Sequence, residues 1–170
     1  MNEKLFEKIE KEIALFMFNV GMIKKPELLS FENDEIFEKL FTEHLTDKSV
    51  LELKNFSEDI FLRVLGMHAF GAGAYSAAKE AEFGHSAEEF SDGEVESLFA
   101  DFDSADAYEL ALDKMGIPLE SGNRSMLDRV IVIGIKETKL VAGNKATEPQ
   151  NVKAFMKVLF NAGISVYKLK

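Results

Sequence analysis

The longest uncharged run in the chain is "VLGMHAFGAGAYSAA", fifteen residues from Val64 to Ala78 between Arg63 and Lys79. As a helix it spans roughly 22 Å, short of the ~30 Å hydrocarbon core of a bilayer. A run this apolar must then be buried inside protein. Its glycines restrict it further. Gly66, Gly71 and Gly73 fall where helix is expected, and each costs roughly 1 kcal/mol there against Ala. Ala69, Ala72, Ala74, Ala77, Ala78 and Ala81 extend the small-residue surface. Such a seam suits the close approach of another helix backbone, within the core or across a dimer. The rival reading breaks the helix at "FGAGAYS" and starts a new one near Ser76, whose free N–H groups would hold phosphate. In that reading His68, Gly71, Gly73, Tyr75 and Ser76 are the ligand-binding residues. "GAGAYSA" resembles a Rossmann G-x-G-x-x-G/A turn, with Ser76 at the third position. It lacks a good preceding strand and a later ribose-binding acid.

The run sits in a chain of 170 residues with 46% apolar residues, fifteen Phe and no Cys. One core can form without disulfides or a metal. Thiol chemistry is excluded, and a reducing, cytoplasmic location is expected. Residues 3–20 carry Leu5, Phe6, Ile9, Ile13, Phe16, Met17 and Val20 at helical period, with Gly21 as the stop. A second helix is expected from Asp34 to Leu45, burying Ile36, Phe37, Leu40, Phe41 and Leu45. "TDKSVLELKNFS" reads as either an extended piece or a helical turn. Ser57 caps a long helix from Glu58 to about Phe83, closed by Gly84. Ser91 and Glu94 have capping-box spacing. A further short helix is expected from near Ser104 to Gly116.

Beyond the loop "IPLESGNRS" the pattern changes. "RVIVIGIK" is a β-branched run without polar alternation and reads as a strand buried on both faces. "TKLVA" reads as a returning strand. Thr147 and Gln150 have capping-box spacing, with Pro149 in the first turn, and the helix they open is expected to end at Gly163. "ISVYKLK" reads as a last strand. The expected class is α+β: a mostly helical part over 1–116 and a small sheet over 126–170, packed as one domain.

Net charge is −10, split between −16 over residues 1–128 and +6 over 129–170. This argues against nucleic acid as a partner. The stretch from Glu82 to Asp106 holds nine acidic residues and no Lys or Arg. Val95, Leu98, Phe99 and Phe102 form an inward stripe within it, so the acids between them are read as a solvated face. No EF-hand register works. Starting at Asp101 puts Asp106 where Gly belongs and Leu112 where the bidentate Glu belongs, and starting at Asp103 puts Lys114 there. "DSADAYEL" resembles the Ser-bearing helix start of acyl carrier proteins. The resemblance implies a phosphopantetheine arm on Ser104, but it covers only these residues and Ala105 departs from its pattern.

Glu82, His85 and Glu88 form E-x-x-H-x-x-E, the spacing that turns carboxylate and imidazole ligands to one side of a helix. Gly84 interrupts it, and no second such motif is present. His44 follows Glu43 directly, so the two point in different directions. The leading functional expectation is a binding or regulatory protein that docks a basic protein partner through an acidic helical surface. Self-association through the Gly/Ala surface or a free sheet edge is kept open. The alternative is a metal- or small-ligand-binding enzyme using His85 and Glu82, with His68 near Gly71–Gly73.

Overall fold

A computed structural model describes residues 1–31, 34–104 and 121–169. Among these, seven α-helices are seen: α1 (Glu3–Asn19), α2 (Glu35–Thr46), α3 (Lys48–Phe56), α4 (Glu58–Phe83), α5 (Asp92–Ser104), α6 (Ser121–Ala142) and α7 (Pro149–Lys168). Short 3₁₀ turns lie at Ala87–Glu89 and Gly143–Lys145.

Several ends follow from local chemistry. Asn2 caps α1 by accepting from the Leu5 N–H, at 3.2 Å. Gly21 (φ 80°) closes it, with the Gly21 N–H on the Phe18 carbonyl and the Met22 N–H on that of Met17. That pair of bonds is a Schellman motif and needs a left-handed residue, which Gly supplies without strain. Asp47 starts α3, accepting from the Ser49 N–H and hydroxyl. Ser57 accepts from the Ile60 N–H at the head of α4, and left-handed Gly84 ends it. Ser91 and Glu94 make the full reciprocal capping box, at 3.2 and 2.9 Å.

The centre of the molecule is α7. It is buried almost without interruption from Asn151 to Val166 and packs against α1, α2, α4 and α6. It runs parallel to α1, since Asn2 bonds Asn151 at one end and the Lys24 N–H bonds the Leu169 carbonyl at the other. It is antiparallel to α2, where Lys157 pairs with Asp34 and Lys153 with Glu38. It crosses α4 in backbone contact. A β-carbon on Gly73 would overlap the Phe160 carbonyl, and one on Gly163 would overlap that of Phe70. Gly66 and Gly134 make room for the Phe155 ring. The small-residue seam is thus filled from within the chain. One apolar cluster runs continuously from Leu5 to Val166.

The expected sheet is absent: no strand occurs among the described residues, and the fold is helical. "RVIVIGIK" lies inside α6. Its buried positions with their neighbours are Leu127, Val130, Ile131, Gly134, Ile135 and Thr138, a helical stripe, with Glu137 buried at its edge. The outward Val132, 48% exposed, is also β-branched, so polar residues do not mark the helix period. "TKLVA" is the end of the same helix. Ile164 to Lys168 of "ISVYKLK" are the last residues of α7, and Gly163 is an interior glycine at the α4 crossing. A short segment that follows a glycine and carries Ile164, Val166 and Tyr167 reads like a strand when cut off from the helix before it. Glu148 is the N-cap of α7, without a side-chain bond, so the Thr147–Gln150 box is not formed, while Pro149 is the first helical residue. The ambiguous segment before Ser57 is α3. Residues 121–125 of the expected loop open α6. Apart from Ser104, the helix expected over 104–116 lies outside the described residues. No described helix is long and apolar enough to cross a membrane.

Candidate functional site

The residues expected to bind a ligand around Gly71–Ser76 lie inside unbroken α4. Gly71, Gly73, Tyr75 and Ser76 are buried. The Ser76 hydroxyl donates to the Ala72 carbonyl at 2.7 Å. Backbone N–H groups there are spent within the helix, and α7 fills the space beside Gly73. Tyr75 points toward α5 and donates to Asp101 Oδ2 at 2.5 Å. Burial, and then this bond to a carboxylate, push the Tyr75 phenol up to about 12.

The E-x-x-H-x-x-E residues are divided among other partners. Glu82 pairs with Lys79 at 2.7 Å. His85 pairs with Glu94 at 2.8 Å and meets the Phe90 ring edge-on. Glu88 follows the Ser86 turn, where its N–H bonds the Ser86 hydroxyl. Among the described residues no three His, Asp or Glu side chains are placed to hold a metal ion.

Several acids of this stretch are paired with bases from elsewhere in the chain. Lys79 reaches Glu82 and also Asp101, at 3.4 Å. Lys39 of α2 stands 3.7 Å from Glu96. The Glu94 carboxyl is held below its usual range, first by the Ser91 N–H, with His85 also contributing. The Asp101 carboxyl is lowered chiefly by the Tyr75 hydroxyl. Val95, Leu98 and Phe99 are buried, as the inward stripe requires. Glu89 and Asp92 are exposed and have no ion-pair partner among the described residues.

A different acidic surface is left uncompensated. The loop after α1 is tied to the end of α7 by two bonds: Lys24 N–H to the Leu169 carbonyl, and Leu29 N–H to the Ser165 hydroxyl at 2.7 Å. This lays Pro26–Leu28 beside α1. A groove of about 300 Å³ results, lined by Glu7, Glu10, Lys11, Ala14, Pro26, Glu27 and Leu28. Glu7 and Glu10 come from successive turns of one helix face, and Glu27 faces them from the loop. Burial, then the charges of Glu7 and Glu27, hold the Glu10 carboxyl above its usual range. None of the three has an ion-pair partner among the described residues. The sequence reading passed over them because Glu7 and Glu10 look like the wet face of an amphipathic helix. Glu27 joins them only through the folded loop.

A shallow apolar groove lies between the start of α4 and α6, around Ile60, Val132 and Ile135. Its rim is closed by the Asp59–Lys139 pair and by Arg63 and Asp128 at 3.6 Å. On the α2 side of α4, His68 Nδ1 stands 3.2 Å from His44 Nε2. His44 is lowered to about 4, mainly by burial and then by the charge of His68. Comparison with known families, curated proteins and solved structures finds no match to this chain.

Proposed function

We propose that the protein is a binding module that receives a Lys/Arg-bearing amphipathic segment of another protein in the Glu7–Glu10–Glu27 groove. One observation carries this reading. Three carboxylates converge there against the single Lys11, and none of them forms an ion pair among the described residues, whereas the acids of 82–101 are largely paired at home. Mutual repulsion at Glu10 is relieved when a partner's ammonium or guanidinium enters. The floor of Ala14, Pro26 and Leu28 accepts an apolar side chain from the same segment. Charge complementarity of this kind sets encounter rate and partner choice, and its strength falls with salt.

A fluorescent amphipathic Lys-rich helical peptide is the probe, titrated with the full chain. Saturable, salt-sensitive binding that weakens at least tenfold in Glu7→Lys/Glu10→Lys, and less than twofold in Glu89→Lys/Asp92→Lys, supports the groove. Binding lost through the α5 changes instead, or no saturable binding at low salt, overturns it.

A further inference from the structure

We propose that His44 and His68 together form a two-imidazole site for a borderline divalent transition-metal ion of the zinc class. The argument starts from distance. Zinc binds imidazole nitrogen at ~2.0–2.1 Å, so two nitrogens sharing a tetrahedral ion stand about 3.3–3.4 Å apart. His68 Nδ1 and His44 Nε2 are 3.2 Å apart, within a few tenths of an ångström of that bite. The rings are tilted by 57° with centroids 4.7 Å apart, so the nitrogens meet side by side more than end to end. A straight N–H···N bond would favour the end-to-end arrangement.

The two ligands come from different helices, His44 from the last turn of α2 and His68 from the middle of α4. Each backbone is therefore fixed independently of the ion. The pair is only partly buried, so an ion can reach it. Asp47, one turn beyond His44, is committed to the Ser49 N–H and hydroxyl. The described residues thus give two ligands and no third. The other positions fall to water or to a donor on a bound molecule, which makes this an open site of modest affinity. No net proton is released from the neutral pair: each neutral ring binds through its facing nitrogen as the tautomer that carries its one proton on the outer nitrogen.

Co²⁺ serves as the probe, added to the untagged full chain and followed by its visible d–d absorption, with Zn²⁺ as competitor. One equivalent should bind with the intense bands of tetrahedral coordination and be displaced by Zn²⁺. His44→Gln and His68→Gln should each weaken binding at least tenfold, and His85→Gln should not. A weak octahedral spectrum in the wild-type chain, or no saturable binding below millimolar Co²⁺, overturns the site whatever the variants do. So does binding that survives both His44→Gln and His68→Gln in chains shown by circular dichroism to be folded, or binding removed by His85→Gln.

Discussion

Gly73 lies against the carbonyl of Phe160 so closely that a β-carbon on it would overlap that oxygen. The reverse contact, Gly163 on Phe70, is made at the same crossing of α4 and α7. The obstacle in each case is backbone, which cannot swing aside as a side chain can.

Gly73→Ala and Gly163→Ala should each destabilise the fold by about 3 kcal/mol or more, at or beyond the upper end for overpacking. The double variant should cost less than the sum, because the first change already parts the helices. Gly93→Ala is the control. Its nearest neighbour is the Ser91 hydroxyl at 4.0 Å, so it should be neutral or gain up to about 1 kcal/mol. Chemical denaturation of the four variants checks the order. Equal effects at Gly73 and Gly93 would refute the crossing.

Stability should fall as pH is lowered from about 6.5 toward 4. His44 titrates at about 4 in the fold and near its ordinary 6.5 in the unfolded chain. The unfolded chain therefore binds more protons through that window, and the neutral form's stability is lost as pH drops. The full difference is at most about 3 kcal/mol. Denaturation midpoints of wild type and His44→Gln, measured from pH 7 to 4.5, should converge as the wild type loses its advantage. Parallel profiles would contradict the buried neutral ring.

Tyr75 should ionise well above the ordinary range of a tyrosine. Its phenol is pushed up to about 12 by burial and by Asp101. Ultraviolet titration of Tyr75→Phe should lack the most alkaline step of the wild-type curve. The same variant should lose about 1–2 kcal/mol, since Asp101 keeps Lys79 but loses its shortest bond. A Tyr75→Phe curve that loses a step near pH 10 instead would exclude the Tyr75–Asp101 bond.

Much of the helical half was legible because its signals are local. The stripe Leu5–Ile9–Ile13–Met17, the Ser57 and Ser91 caps, and the stops at Gly21 and Gly84 all act within a turn or two of their own position. The C-terminal third was misread for a physical reason. Val132 on the outer face of α6 is as β-branched as Ile131 on the inner face, and α7 is buried on nearly every side, its polar Lys157, Asn161 and Ser165 included. In both places tertiary burial, absent from a local window, decides the state. Gly163 was read as a stop because a glycine that ends a helix and one that admits a neighbouring backbone look alike in sequence. The partners of the acids were equally hidden. Lys39 reaches Glu96 from another helix, and His44 meets His68 across 24 residues. Glu27 reaches Glu10 only because the Ser165 hydroxyl and the Leu169 carbonyl hold the loop in place.

The most direct measurement is an amide chemical-shift map of the full chain titrated with the Lys-rich helical peptide. The groove reading predicts saturating shifts confined to Glu7–Ala14 and Pro26–Leu28, which shrink as salt rises. Shifts centred on α5, or scattered weakly over every acidic residue, would contradict it.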